Sequence, residues 1–284
     1  MTQPRPIITL LTDFGDCDAY VSTMKGVILT IIPDVQLVDI SHQITPQDVR
    51  QAASILASVY AYYPAHTVHL AIVDPEVGSV RQPIALETPR GIFVAPDNGI
   101  LTYIRLREPS STPVLLDNNS YWLASPSNTF HGRDIFSPVA AHLANGVPVR
   151  QMGSILETIV MFPVTPLDLS PTMIRGEVTQ IDRFGNLLTN ISYLRWLDTE
   201  TLELHHVRVQ NNESITIQLN ATKARITCGW HAFKGIHQTY STVEVGQPLA
   251  VVGSNGELEI AINQGSASNA LAAKVGDPVT LHIE

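Results

Sequence analysis

The sequence predicts an α/β N-terminal domain with a mainly parallel sheet, followed by a C-terminal antiparallel β-barrel domain. Three observations lead there. Residues 7–73 alternate short apolar runs with helically spaced ones in the order βαβαβ, and crossovers of that kind build parallel sheets with helices packed on them. Residues 163–171, PVTPLDLSP, hold three prolines in nine positions, the punctuation of a linker. Beyond them the pattern changes to short alternating strands, as in a small barrel or sandwich. The expected domains are 1–165 and 166–284.

Ile7–Leu11 is the first apolar strand, and it runs straight into TDFGDCD at 12–18. Asp13 and Gly15 therefore stand at a strand's carboxyl end. Tyr20, Met24, Val27, Ile28 and Ile31 recur at helical spacing, and Pro33 ends that helix. Val35–Ile40 is the next strand. Thr45 as N-cap and Pro46 in the first turn open a second helix, running through Val49, Ala53, Leu56 and Tyr60 toward Tyr63. Thr67–Val73, TVHLAIV, reads as a buried strand that stops at Pro75. The arrangement is Rossmann-like, and in such sheets ligands bind beyond the carboxyl ends of the strands. Asp13 and Asp74 both fall there. Ile84–Leu86 and Gly91–Val94 are further strands, and 96–99 (PDNG) is a turn. Asn98 in that turn is read as a cap, with a ligand contact as the alternative. A helix starts at Asp134, with Phe136, Ala140 and Leu143 on one face and Gly146 as its stop.

In the second half, strands are expected at 173–181, 187–192, 206–210, 214–219, 248–252, 257–263 and 278–283. Two spots are more polar than a plain β-domain needs. One is IDRFGNLLTNI at 181–191, with Asp182, Phe184 and Asn186 in a turn. The other is 253–272, where Asn263, Gln264 and Gly265 interrupt an apolar strand. Turn chemistry alone explains such residues. An aromatic between Asp and Asn would equally suit a flat heterocycle. His205-His206 has no third ligand at sensible spacing and reads as surface.

Composition excludes several classes. The 284 residues are 44% hydrophobic and 15% charged, so the chain can bury a core and is not disordered. A net charge of −9 argues against general affinity for nucleic acid or anionic membrane. No apolar run reaches the roughly 18–20 residues of a membrane span. The opening MTQPRPIITLLTDFG has no signal-peptide pattern. Cys17 and Cys228 have no partner spacing, so neither a zinc site nor a disulfide framework is expected. A reducing cytoplasm fits.

The stretch with the most chemistry is VDPEVGSVR, 73–81. Gly78 permits a tight turn that returns Arg81 to Asp74, giving a carboxylate–guanidinium pair at the end of a core strand. A loop salt bridge without function explains the pair equally well, and exposed pairs contribute only ~0–1 kcal/mol. His131, just before the helix at 134, is a helix-end histidine or a third member of that group. Arg133 and Asp134 are read as paired at the helix start.

Taken together, TDFGDCDAYVSTMKGVI (12–28), VDPEVGSVR (73–81), PDNGILT (96–102), TFHGRDIFSPVAAHL (129–143), RFGNLLTNI (183–191) and LEIAINQGSAS (258–268) resemble the S-adenosyl-L-methionine (SAM) hydroxide adenosyltransferase family. These SAM hydrolases are related to the fluorinase and chlorinase enzymes. The resemblance implies a trimer with SAM bound between subunits, and hydrolysis of SAM to adenosine and L-methionine. SAM is then the substrate, with no cofactor and no metal. It implies that Asp74, Arg81 and His131 are catalytic and that Asp13 holds the ribose hydroxyls. Asn98 becomes a further contact. Asp182, Phe184 and Asn186 fall near the methionine part, and Ser254, Asn263 and Gln264 in the adenine-side segment. Halogenase relatives carry a tyrosine where this chain has Asp74, a serine where it has Gly132, and an inserted loop after the arginine. The chain therefore resembles the hydrolase branch. It departs from the family pattern at Ser22, commonly glycine, and Gln82, commonly arginine. A halide adenosyltransferase and a non-catalytic SAM-binding module are the rival readings.

Overall fold

Strands with apolar side chains on both faces need cover on both faces, and the first sheet has it. The structure, a computed structural model, describes residues 5–208 and 213–283. The chain divides into two units, Met1–Phe162 and Pro163–Glu284. In the first, β1 (Ile7–Thr12), β2 (Gln36–Ser41), β3 (Thr67–Ile72), β4 (Pro83–Thr88), β5 (Gly91–Pro96) and β6 (Thr112–Leu115) form one sheet in the order β2-β1-β3-β5-β4-β6. Successive residues turn to opposite faces. Leu10, Leu70 and Ile72 pack with Met24 and Ile28 of α1 (Tyr20–Ile31) and Val139 of α4 (Ser137–Ala144). Leu11, Ala71 and Val73 pack with Leu56 of α2 (Val49–Val59) and Ile104 of α3 (Thr102–Arg107).

The expected parallel crossovers are present. β1 pairs with β2 and β3, and β3 with β5, all parallel. The sheet is nonetheless mixed, because β4 runs antiparallel to both β5 and β6. Only two residues separate β4 from β5, which permits a hairpin and no crossover.

Three boundaries differ from expectation for local reasons. The cap of α2 is Asp48, which accepts from the Gln51 amide at 2.9 Å, not Thr45. Gln47, at φ 69°, turns the chain just before it. α2 gives way to a tighter turn at Tyr60–Tyr62, and Tyr63 is extended, as the residue before a proline prefers. Ahead of α4, Gly132–Phe136 is wound as a short π-helix.

In the second unit, most of the linker stretch is irregular, but Asp168–Ser170 (β7) pairs with β8 (Met173–Ile181). With β9 (Leu187–Thr189), β13 (Arg225–Cys228), β14 (His231–Lys234), β15 (Ile236–His237), β16 (Pro248–Val252), β17 (Leu258–Ile262) and β18 (Pro278–His282) they form a mostly antiparallel, barrel-like sheet. Ile174, Val178, Ile226, Ile260 and Leu281 fill its interior. β10 (Leu194–Trp196), β11 (Thr201–Arg208) and β12 (Glu213–Asn220) make a separate three-stranded sheet. The strand expected at 206–210 lies earlier, and residues 209 and 210 fall outside the described residues. α5 (Ala267–Leu271) follows β17. Cys17 is exposed and Cys228 buried, both free thiols. Among the described residues no helix is long and apolar enough to cross a membrane.

Candidate active site

β1 and β3 lie side by side in parallel, with Thr12 level with Ile72. Asp13 and Asp74 therefore leave the sheet from the same end. From β1 the chain crosses to β2 on one side and returns to β3 on the other. That is a topological switch point, where open α/β sheets bind ligands.

Asp74 is fixed by Arg81. The guanidinium Nε donates to Asp74 Oδ1 at 2.9 Å and Oδ2 at 3.0 Å, and Nη2 also donates to Oδ2. The turn between them is open to solvent, but the two side chains are only 5% and 3% exposed. The pair is therefore buried, unlike an exposed loop salt bridge. Breaking a buried pair costs about 3–5 kcal/mol, against about 0–1 kcal/mol for an exposed one. Arg81 also lies over the Phe136 ring, 5.1 Å from its centroid.

The third member arrives from 50 residues away. Arg81 Nη2 is 3.0 Å from His131 Nδ1. A guanidinium can only donate, so Nδ1 accepts and the neutral ring carries its proton on Nε2. Burial, then the Arg81 charge, holds the His131 pKa below its ordinary value of 6.5, in line with a neutral ring. Arg81 Nη1 is buried and has no hydrogen-bond partner among the described residues. An unmet buried donor costs about 1–3 kcal/mol.

His131 is held by the segments on either side. Asp134, 1% exposed, accepts from Ser127 N at 2.7 Å, Ser127 Oγ at 2.8 Å and Arg133 Nε at 2.6 Å. Burial alone would raise the Asp134 pKa, but the Arg133 and Ser127 contacts bring it below its ordinary value. The expected Arg133–Asp134 pair is thus real and ties the 127–131 segment to the helix. That segment also meets the turn carrying Asp74 and Arg81. Gly78 is at φ 80°, and a Cβ there would fall 2.5 Å from the Asn128 carbonyl oxygen. Both conformation and space demand glycine. Gly78→Ala is expected to destabilise the protein by about 1–3 kcal/mol through strain and overpacking, read as a lower urea midpoint at unchanged m.

Asp13 and Asn98 flank this group. Asp13 Oδ2 accepts from the Gln47 amide at 2.8 Å. Asn98 Nδ2 donates to the Val73 carbonyl at 2.8 Å, and its Oδ1 accepts from Ile100 N at 3.2 Å. Asn98 thereby pins the end of β3 immediately before Asp74.

In the second unit, Asp182 Oδ1 accepts from Phe184 N at 2.9 Å and Asn186 N at 2.8 Å, and Oδ2 from Asn186 Nδ2 at 3.0 Å. This closed turn leaves the Phe184 ring 77% exposed. The Gly185 carbonyl accepts from Ser268 N at 2.8 Å, so the 182–186 turn lies beside the segment that follows Asn263 and Gln264. Asn263 Nδ2 donates to the Val243 carbonyl at 2.8 Å, Gln264 is exposed at φ 57°, and Ser254 is exposed in its own turn. His205 is exposed and His206 half-buried.

Residues 8–153 match the model of the SAM hydroxide adenosyltransferase N-terminal domain, and residues 176–280 that of the C-terminal domain. The chain belongs to the SAM hydroxide adenosyltransferase family. Among curated relatives, a protein of Thermus thermophilus named (R)-S-adenosyl-L-methionine hydrolase is 36% identical, over 98% of this chain and 99% of its own. A protein named fluorinase from an Actinoplanes species is 28% identical, over 98% and 97%. A solved structure titled an uncharacterized conserved protein from Thermotoga maritima superposes with a TM-score of 0.82 at 33% identity, covering 96% of this chain and 99% of that one.

Several interactions are not visible from the sequence. Gln47 reaches Asp13 through its backbone amide, an interaction without a side-chain signature. Glu257 and Glu259 are buried on one face at β17, and Glu259 accepts from the Tyr240 hydroxyl at 2.6 Å. Their alternation with apolar residues was the available signal, and it reads equally well as an exposed strand face.

Proposed function

We propose that the protein is an SAM hydrolase: hydroxide attacks C5′ of S-adenosyl-L-methionine, the C5′–S bond breaks, and adenosine and L-methionine leave. The observation that supports this most is the buried Asp74–Arg81–His131 group with its unmet Nη1 donor. Methionine departs as a neutral thioether, so the leaving group needs no acid. The difficulty lies with the nucleophile. Water ionises at a pKa of about 15.7, so forming hydroxide at pH 7 costs about 12 kcal/mol. Arg81 Nη1 and the His131 Nε2–H are two donors suited to an oxygen bearing negative charge. Charge-assisted hydrogen bonds contribute about 1.5–3 kcal/mol each. Alignment behind C5′, where about 7–11 kcal/mol is accessible, has to supply the larger part.

In this reading Asp13 holds the ribose hydroxyls and Asn98 supports the Asp74 end of β3. Residues 1–165 carry the Asp/Arg/His set. Residues 166–284 complete the SAM contacts through Asp182, Phe184, Asn186, Ser254, Asn263 and Gln264, in a cytoplasmic homotrimer. SAM is the substrate, and no cofactor takes part. Asp13→Ala is expected to raise KM for SAM at least about tenfold, the loss of one charge-assisted pair of hydrogen bonds, in a steady-state assay of adenosine release.

The neutral His131 sets a pH dependence. Its folded pKa is depressed, so protonation favours the unfolded chain and removes the Nδ1 lone pair from Arg81. The stability it contributes is full above 6.5 and falls as pH drops through the lowered folded value. An acid limb in kcat/KM with its midpoint below 6.5 is expected, and it should vanish in His131→Gln.

The deciding experiment is turnover of SAM in ¹⁸O-water with excess chloride present. Label in the adenosine 5′-hydroxyl supports attack at C5′. A 5′-halonucleoside in place of adenosine would transfer the protein to the halide adenosyltransferases, and no product at all would leave only SAM binding.

A further inference from the structure

A second ordered polar chain lies beneath the Asp13 turn. His42 is 5% exposed and Thr12 fully buried. Thr12 Oγ1 is 2.9 Å from His42 Nδ1. The other ring nitrogen, Nε2, lies 3.1 Å from Asp39 Oδ1, within ion-pair reach though not directed along a hydrogen bond. Asp39 Oδ2 in turn accepts from Lys25 Nζ at 2.6 Å. A carboxylate facing Nε2 favours the proton there, which leaves Nδ1 to accept from the Thr12 hydroxyl. Thr12 Oγ1 then accepts from Phe14 N at 3.3 Å. From Phe14 N through Thr12 to the His42 ring the donors thus run one way, from the tip of the turn toward Asp39.

The order carboxylate–imidazole–hydroxyl is that of a nucleophilic hydrolase triad, but Thr12 Oγ1 is sealed in the sheet and already engaged on both sides. It cannot meet a substrate. Its geometry is that of a brace. The His42 carbonyl accepts from Gly15 N at 2.8 Å, and Gly15 is at φ 66°. Gln43 Nε2 donates to Asp16 Oδ2 at 2.5 Å, and Gln47 N donates to Asp13 Oδ2 at 2.8 Å. The 42–47 loop therefore grips the 12–16 turn at four points, counting Thr12, and His42 supplies two of them.

We propose that His42 is a positioning residue: together with Thr12 it orients the turn bearing Asp13, and so sets the affinity of the site for the vicinal hydroxyls of the substrate's ribose. The inference rests on the reading that Asp13 holds those hydroxyls. A carboxylate can bridge a diol only if both oxygens face it, and the direction of the Asp13 side chain follows the backbone of residues 12–15. Among the described residues, neither His42 nor Thr12 is hydrogen-bonded or ion-paired to Asp74, Arg81 or His131, so the chemical step is left alone.

The test is steady-state kinetics of the full-length protein on SAM for Thr12→Val, His42→Leu, His42→Asn and Asp13→Ala, each with its thermal midpoint. Thr12→Val and His42→Leu are expected to raise KM about 3–10-fold, the equivalent of one misdirected hydrogen bond, with kcat within about twofold. His42→Asn keeps a polar group at the Nδ1 position and should recover most of the KM. A KM unchanged in Thr12→Val and His42→Leu, while Asp13→Ala raises it, overturns the brace and leaves the Asp13 reading standing. Equal losses in kcat and active fraction, tracking the thermal midpoint and not recovered by His42→Asn, also overturn it. If His42→Leu does not fold, Thr12→Val, nearly isosteric, decides alone. An Asp13→Ala enzyme with wild-type KM removes the Asp13 reading, and the brace falls with it.

Discussion

Arg81→Lys is expected to lower kcat by about 10²–10³-fold, the usual loss when one preorganised donor to a developing charge is removed, while KM for SAM changes little. The substitution keeps the positive charge and loses the fork. One guanidinium now does three things at once: Nε and Nη2 seat Asp74, Nη2 reaches His131, and Nη1 is left over. An ammonium is a compact point charge with a single nitrogen. It can stay beside Asp74, but it cannot also span to His131 and present a free donor. Adenosine release followed by chromatography, with SAM affinity measured separately, separates this outcome from simple loss of binding. An Arg81→Lys enzyme at near wild-type rate would remove the arginine from the chemistry.

Asp74→Asn is the second large effect. It is expected to cost about 3 kcal/mol in stability, the lower end for breaking a buried pair, and at least about 10²-fold in kcat. Asp74 accepts three hydrogen bonds from Arg81. A carboxamide offers one acceptor and turns an N–H toward another N–H. Arg81 would be left as a buried cation without a counter-charge, and its planar head would lose the orientation that reaches His131. Urea unfolding gives the first quantity and single-turnover kinetics the second. A variant as stable as the parent would show that the pair, despite its burial, is no more than a loop contact.

Much of this was legible in the chain itself, and the exceptions have physical causes. The alternation of Leu10 with Leu11 and of Leu70 with Ala71 is what a doubly covered strand must look like, so the first sheet could be read. Proximity of Asp74 to Arg81 followed from seven residues and a glycine. The tautomer of His131 did not, because it depends on a donor 50 positions away. Thr45-Pro46 has the chemistry of a helix opening, yet Asp48, three residues on, caps α2, because Gln47 turns the chain between them. Burial of Asp74 and Arg81 is also beyond the sequence, since the turn joining them is exposed. In the second unit, β13, β14 and β15 are four residues or fewer. β13 and β14 pair locally across two residues, but the pairing of β13 with β18 and of β15 with β16 is too distant for local pattern to register.

The two halves of the Asp74–Arg81–His131 group are unequal in chain distance. The carboxylate and guanidinium close a span of seven residues, whereas the imidazole joins across fifty. Loop-closure entropy grows with the logarithm of that length, so the distant contact costs about 1.7 kcal/mol more to nucleate. On refolding, the local pair should therefore come first, as an acid–base clasp on a nascent strand. Catalytic competence should return later, when the segment bearing His131 docks against Gly78. Regain of turnover should accordingly lag behind regain of β-sheet signal in a stopped-flow experiment.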